Sequence, residues 1–281
     1  MKTVTYPAQP LPPANCHVTQ MVYRTLKLPS QTEAKGVIVG QERLYIYTLK
    51  GLSTPKWPLN SDYHPLFIER TVTLRYDASN RLIEEITRPW DRPSDTISYS
   101  HEPTRILYTN SYWDSKRIIQ RDTLPIDSRG LSRKDPRSYR YGYYDKDGFL
   151  AVGNFSEQDP QIRRIRQQVI NGNLVELTDS LDYWGETHFR YLHYVDRPNV
   201  PTTTPFFGKQ SRQLVAQQLW SLRLSPFYRD GDKYTTKYVY LFDVQGRVRR
   251  SISYGVPLDP GWPFELFTGG ISVIDYSYSC P

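Results

Sequence analysis

Alternation of apolar and polar residues is the dominant pattern of the chain. Residues 71–76 place valine, leucine and tyrosine on one face and threonine and arginine on the other. The same period of two recurs in residues 43–49, 139–143, 189–193, 234–242 and 274–278. This period is typical of β-strands with one buried and one hydrated face. The pattern therefore predicts an all-β fold with a large twisted antiparallel sheet.

One segment leaves the choice between helix and strand open. In residues 211–222, Leu214, Val215, Leu219 and Leu222 come near one face of a helix. The same segment could also be a strand that follows a loop. We therefore expect at most one short helix in the fold.

The predicted turns repeat as a short motif. YDASNRL begins at Tyr76, YDKDGFL at Tyr144 and FDVQGRV at Phe242, and a shortened form, INGN, begins at Ile170. The Asp side chain of such a unit accepts hydrogen bonds from backbone amides further on, and Gly or Asn takes the positive-φ position. Turn formation accounts for these Asp residues, so we expect no catalysis from them.

These units resemble the YD repeat of bacterial secreted and surface proteins. Their order is YDKDGFL, then INGNLVEL, then an aromatic strand, a Pro/Asn loop and FDVQGRV. That order resembles an uncharacterised family of Gram-negative, Bacteroidota-type envelope lipoproteins with a domain of unknown function, over residues 16–254. The resemblance implies YD-repeat-like hairpins in a strongly twisted sheet and an exported protein. It implies no known activity.

The length and composition suit one large β domain or two smaller ones. The chain has 281 residues and is only 38% hydrophobic, with 23 Tyr against 10 Phe and 2 Met. Tyr suits a sheet with one hydrated face because its ring is apolar and its hydroxyl is polar. We predict a Pro-rich tether over residues 1–15 and one YD-repeat-like domain over residues 16–281.

The net charge is mildly positive, at +7. The densest basic run is Arg163, Arg164 and Arg166, which indicates either a charged strand that resists aggregation or a nucleic-acid patch. No recognition helix or zinc finger accompanies it in the sequence. We therefore expect no nucleic-acid partner.

The two cysteines, Cys16 and Cys280, lie near opposite ends of the chain. They either form a disulfide, as in an oxidising compartment, or remain two unpaired thiols. No Cys/His cluster with zinc-ligand spacing occurs in the sequence. We expect no metal and no cofactor.

The start of the sequence indicates a tether. Residues 7–13 are Pro-rich, and the first residues lack the apolar core of a signal peptide. Such a tether commonly follows the lipid-bearing cysteine of a processed lipoprotein. We therefore expect a secreted or cell-envelope protein (periplasm or outer-membrane surface) whose targeting segment has been removed, with membrane contact only through an N-terminal lipid anchor.

Two Pro-rich loops carry aromatic side chains that could bind a ligand. They are the predicted loops around residues 51–67 and 255–270, with candidate residues Trp57, Tyr63, Trp262, Phe264 and Phe267. Rings on stiff loops can stack on sugars or clamp a peptide at low entropic cost. The alternative is that the loops fold over the end of the sheet and fill its core.

The sequence therefore favours a non-catalytic module that binds a glycan, a peptide or a protein partner. A hydrolase acting on polysaccharide or peptide is the alternative, and a structural or assembly role in the envelope is a third. We predict no catalytic residue.

Overall fold

The computed structural model describes residues 11, 13, 15–25, 32–39, 42–49, 67–89, 92–114, 116–135, 140–154, 163–181, 185–223, 233–254 and 271–280. These residues form eighteen strands and one short 3-10 turn, Pro205–Phe207. The strands are β1 (His17–Thr25), β2 (Thr32–Val39), β3 (Glu42–Leu49), β4 (Phe67–Tyr76), β5 (Leu82–Pro89), β6 (Asp95–His101), β7 (Arg105–Asp114), β8 (Lys116–Pro125), β9 (Lys134–Asp135), β10 (Arg140–Tyr144), β11 (Leu150–Asn154), β12 (Arg163–Ile170), β13 (Asn173–Leu181), β14 (Gly185–Pro198), β15 (Gln213–Arg223), β16 (Lys233–Phe242), β17 (Val248–Tyr254) and β18 (Ile271–Ser279). The predicted all-β fold is confirmed.

Sixteen of the strands form one antiparallel sheet, in the order β8-β7-β6-β5-β4-β1-β18-β17-β16-β15-β14-β13-β12-β11-β10-β9. Most neighbours in this sheet are consecutive in the sequence. The exceptions are the pairs that β1 makes with β4 and with β18, the last strand. The strands β2 and β3 form a separate hairpin. Within the described part of the chain, no helix is long and apolar enough to cross a membrane.

Residues 213–223 resolve the choice that the sequence left open, because they form the strand β15. Leu214 and Ala216 are buried while Val215 between them is half-buried, so burial follows a period of two. β15 pairs with β14 on one side and with β16 on the other. This pairing satisfies backbone groups that a helix would have bonded internally.

The core lies on one face of the sheet. The core cluster includes Tyr108 and Leu124, which are 1% and 0% exposed. Along β8 and β12 more exposed and less exposed residues alternate. The more exposed positions carry both charged and apolar side chains, namely Arg121, Arg164 and Arg166 and also Ile119 and Ile170.

Several tyrosine hydroxyls are bonded to the backbone and not left to water. Tyr76 donates to the carbonyl of Val18 at 2.9 Å, and Tyr278 donates to the carbonyl of Val248 at 2.8 Å. Burial, with a smaller effect from Glu85, raises the pKa of Tyr76 to about 12. These hydroxyls tie neighbouring strands together near one end of the sheet.

Candidate functional site

Four connections at one end of the sheet share a geometry, and we call them the Asp turns. They are headed by Asp77, Asp127, Asp145 and Asp243. In each, one carboxylate oxygen accepts hydrogen bonds from the amides two and four residues further on, at 2.9 to 3.0 Å. The fourth position is Asn or Gly with φ between 60° and 88°. These carboxylates act as caps of the chain reversals.

Asp127 was not found by the sequence motif. Its unit, IDSRGL, begins with Ile126, whereas the three units found by sequence begin with an aromatic residue. The backbone signal of Asp followed three residues later by Gly was nevertheless present. The turn that Asp127 forms connects β8 to β9, which are the two edge strands of the sheet. Just beyond these strands, Ile126 and Ser132 pair in an isolated antiparallel β-bridge.

Hydrogen bonds hold the pKa of three turn carboxyls below the ordinary value. For Asp77 and Asp127 the largest cause is the amide N–H four residues further on. For Asp243 burial raises the pKa, but hydrogen bonds from Arg247 and from the amide of Gln245 outweigh it. A carboxyl with a lowered pKa is a poor general acid or base near neutral pH.

We call this end of the sheet the turn end. Because the sheet is antiparallel, the Asp turns, the Asn171–Gly172 turn, the connection from β14 to β15 and the start of β1 all lie there. Cys16 and Cys280 lie at the same end and form a disulfide that joins residues 264 apart in sequence. Their Cα atoms are 4.3 Å apart. Cys16 directly precedes β1 and Cys280 directly follows β18, so the bond links the ends of these two strands.

The connection from β14 to β15 folds over the turn end and contributes to the core. Phe206 is 5% exposed and packs with Tyr99, their ring centroids 5.2 Å apart. The Phe206 carbonyl accepts a hydrogen bond from the amide of Ser132 at 2.8 Å. The amide of Lys209 donates to the carbonyl of Gly148 at 2.9 Å. This connection therefore fills the end of the core. The same role is the alternative to ligand binding for the Pro-rich aromatic loops around residues 51–67 and 255–270.

A groove of about 580 Å³ opens beside the disulfide at the turn end, and we call it the turn-end groove. Its volume lies within the range of about 300–1,000 Å³ that is typical of ligand pockets. Its apolar walls come from four separate stretches of chain. They are Leu11, Pro13, Cys16, Val195, Pro198, Val200, Pro201, Val248 and Tyr278.

Hydrogen bonds fix the wall of this groove that the β14–β15 connection forms. Gln213 and Asn173 bond each other twice, at 2.8 and 2.9 Å. The Asn199 side chain donates to the carbonyl of Ser211 at 3.0 Å, and its amide donates to the carbonyl of Arg212 at 2.8 Å. This wall is therefore formed before any ligand binds, which lowers the entropic cost of binding.

Three arginines line the groove. The Arg247 Nε donates to Asp243 at 2.6 Å, and its Nη1 donates to the Cys280 Sγ at 2.9 Å. Arg197 is 4% exposed, and its Nε lies 3.6 Å from a carboxylate oxygen of Asp196.

Arg212 is the third and is exposed. The side-chain stem of Arg212 lies against Gly172, where an added Cβ would come within 2.5 Å of its Cδ.

The five aromatic residues proposed from the sequence, Trp57, Tyr63, Trp262, Phe264 and Phe267, lie outside the described residues. The groove was not predicted. Its lining combines residues near 11–16, 195–201, 212–213, 246–248 and 278, and the sequence pattern gave no signal that these stretches meet.

One hydroxyl–imidazole–carboxylate arrangement also escaped the sequence motifs. The Thr178 hydroxyl lies 3.3 Å from the His188 Nδ1, and the His188 Nε2 lies 2.9 Å from Glu186. Ser180 donates to the same carboxylate at 2.9 Å. These residues are cross-strand neighbours on β13 and β14 and are not part of the groove lining. We interpret them as a cross-strand polar network.

Comparisons with known proteins give likeness of structure alone. No protein-family model matches the sequence, and no curated protein matches it. A crystal structure of a porin-like protein from Bacteroides uniformis is similar, with a TM-score of 0.53 and 12% identity over 93% of this chain and 98% of that chain. A porin-like protein from Bacteroides vulgatus has a TM-score of 0.41 and 13% identity over 74% of this chain and 94% of that one. The first of these likenesses shows a shared fold.

Proposed function

We propose that the protein is a non-catalytic binding module of the bacterial cell envelope and that the turn-end groove is its binding site. The observation that carries the proposal is the groove itself. It combines apolar walls, one of them already fixed by hydrogen bonds, and a few polar groups. Ligand sites are commonly preformed and mostly apolar in this way.

Two further observations favour the envelope as the location. The fold is shared with a porin-like protein of Bacteroides uniformis. A disulfide between Cys16 and Cys280 fits a compartment outside the reducing cytoplasm. The Asp turns support the predicted relation to YD-repeat proteins and envelope lipoproteins, which stays a prediction.

The proposed anchor lies close to the proposed site. Leu11 and Pro13, in the Pro-rich tether, line the groove directly. A lipid on the chain before this tether would hold the turn end near a membrane. Membrane contact is proposed only through such an anchor.

The two alternative functions have weaker support. For a hydrolase, the Thr178–His188–Glu186 network would have to adjoin a substrate groove, and the turn-end groove does not include it. For assembly through a sheet edge, β8 is the longer edge strand. It carries Lys116, Arg117 and Arg121, and such charges oppose edge-to-edge pairing.

Blocking the groove tests the proposal. Val195 lines the groove and is 46% exposed, whereas Val244 is 95% exposed at the same end and lies outside the lining. Fluorescently labelled wild type, Val195→Trp and Val244→Trp would be applied to printed arrays of bacterial-type glycans and of hexapeptides. We expect wild type and Val244→Trp to bind the same spots and Val195→Trp to lose at least about tenfold in affinity, which corresponds to about 1.4 kcal/mol.

Matching circular dichroism spectra of the three proteins would show that folding is unchanged. The proposal is wrong if wild type binds neither array, or if Val195→Trp binds as well as Val244→Trp.

A further inference from the structure

Resting on the proposed function, we infer that the turn-end groove takes a short apolar peptide segment that bears a carboxylate, which Arg212 binds at the groove rim. Neither the sequence motifs nor the comparisons point to this ligand. It follows from three features: the charge of the groove, the position of Arg212 and the chemistry of the walls.

The groove lining carries an excess of positive charge. Arg197, Arg212 and Arg247 contribute +3, and Asp196 and Asp243, the ion-pair partners of Arg197 and Arg247, contribute −2, so the formal charge is 3 − 2 = +1. The arginines come from three separate segments: the end of β14, the start of β15 and the Asp243 turn. Convergence of guanidinium groups from different segments favours an anionic ligand group.

Two of these arginines are already engaged with the protein. Arg247 donates hydrogen bonds to the Asp243 carboxylate and to the Cys280 Sγ, and its guanidinium carbon lies 5.2 Å from the Tyr278 ring centroid. Arg197 is buried beside Asp196, with its guanidinium carbon 5.6 Å from the Phe242 ring centroid. Because each is paired with a carboxylate, the net positive charge at the groove comes from Arg212.

Arg212 differs because its guanidinium forms no ion pair with any described residue, although it lines the groove. Its position is nevertheless defined. Its amide donates to the carbonyl of Gly172 at 2.9 Å, and its stem packs on that glycine. Gly172 has φ +78°, a backbone conformation that side chains rarely adopt, and a methyl group there would displace the Arg212 stem. The turn thus presents a planar guanidinium that has no ion pair within the described part of the chain, and such a group matches a carboxylate by two parallel hydrogen bonds.

The walls favour a peptide over a sugar. Protein sites commonly hold sugars by stacking them on exposed flat rings, and the only aromatic residue in the described lining is Tyr278. Arg247 lies over this ring, with its guanidinium carbon 5.2 Å from the ring centroid. The remaining apolar walls are valine, proline and leucine. Such surfaces bury aliphatic side chains and leave no platform for a pyranose ring.

Three peptide libraries test the inference with wild-type protein. Each consists of random hexapeptides of Ala, Val, Leu and Pro: one with a free C-terminal carboxylate, one C-amidated, and one C-amidated with a single internal Asp or Glu. We expect at least one carboxylate-bearing library to bind about tenfold more tightly than the neutral amide, as one charge-assisted hydrogen-bonded pair provides. The free-acid and internal-acid libraries distinguish a chain terminus from an acidic side chain as the source.

Arg212→Gln should remove this preference and bring the libraries to within about threefold of each other. Arg121→Gln is the control, because it makes the same charge change at an exposed position of β8 outside the groove lining, and it should leave the preference intact. A C-amidated library with one phosphoserine is a fourth probe. Binding of that library in preference to both carboxylate libraries would overturn the inference.

The outcomes separate the two proposals. If all libraries bind wild type equally, and Val195→Trp abolishes this binding, the groove binds peptide but the carboxylate inference is wrong. If the carboxylate preference survives Arg212→Gln, the inference is also wrong. If no library and no glycan binds wild type, the proposed function itself fails.

Discussion

Removal of the Cys16–Cys280 disulfide should destabilise the protein strongly without changing its fold. The bond closes a loop of 264 residues. In the chain-entropy treatment, a loop of this length confines the unfolded chain at a cost of about 5–6 kcal/mol. The native state depends on the bond much less, because the β1–β18 ladder runs from His17–Ser279 to Thr25–Ser272 and holds the two ends together.

The measurement is guanidinium chloride unfolding of wild type and Cys16→Ser/Cys280→Ser, followed by tryptophan fluorescence and far-UV circular dichroism. Residual structure in the unfolded chain lowers the entropic effect, so we expect a loss of about 3–5 kcal/mol in the free energy of unfolding. The far-UV spectrum of the folded state should be unchanged. A domain of ordinary stability, about 5–15 kcal/mol, would lose a large fraction of it.

Reduction provides the control. Dithiothreitol should lower the stability of wild type to that of the double variant and leave the double variant unaffected. A difference below about 1 kcal/mol between the two proteins would refute the entropic reasoning. Loss of the sheet spectrum in the double variant would instead show that the β1–β18 ladder cannot persist without the bond.

Two further predictions concern the sheet. Burial raises the pKa of Asp275, but hydrogen bonds from Arg250 and Arg24 outweigh it and hold that pKa below the ordinary value. Its stabilisation is therefore fully present above the unfolded pKa of about 3.9 and is lost as the pH falls through the lower folded value. Asp275→Asn should cost about 3 kcal/mol at pH 7, because it removes the carboxylate charge that the buried Arg250 and the neighbouring Arg24 share, and less below pH 4. Urea unfolding at several pH values checks this, with the exposed Asp147→Asn as control. An effect independent of pH would contradict it. Phe206→Ala should cost about 3–4 kcal/mol of stability because the ring fills the core at the turn end. Ile119→Ala is the control: its side chain is 57% exposed, so the substitution should change thermal stability little. Equal melting temperatures for the two variants would show that the β14–β15 connection does not support the core.

The local pattern of the sequence predicted the strands and three of the four Asp turns well. Residues 71–76 alternate because successive side chains of β4 point to opposite faces, and only the near neighbours of each residue matter for that signal. Asp77, Asp145 and Asp243 cap turns within five residues of chain, which is also a local property. Asp127 was not singled out, although Ile126, Asp127 and Gly130 carry the same local pattern of an apolar residue, Asp and Gly.

The groove and the strand order could not be predicted in the same way. Cys16, Val195 and Arg247 meet because β1 pairs with β18 and because the 199–212 connection folds back over the turn end. Both depend on contacts between residues far apart in the sequence, for which alternation and turn motifs carry no signal. Residues 211–222 show that a local pattern can also be ambiguous. Their apolar spacing fitted a helix as well as a strand, and pairing with β14 and β16 makes residues 213–223 a strand.

The adjacency of β1 and β18 has a consequence for biosynthesis. β1 ends at Thr25 and β18 begins at Ile271, so 271 − 25 = 246 positions separate a strand from its neighbour. At about 5–20 residues per second, a ribosome needs on the order of 10–50 s to make that stretch. Throughout that time one edge of β1 has no native partner and can recruit a foreign strand. A chaperone that shields this edge until β18 has been made would suppress such pairing.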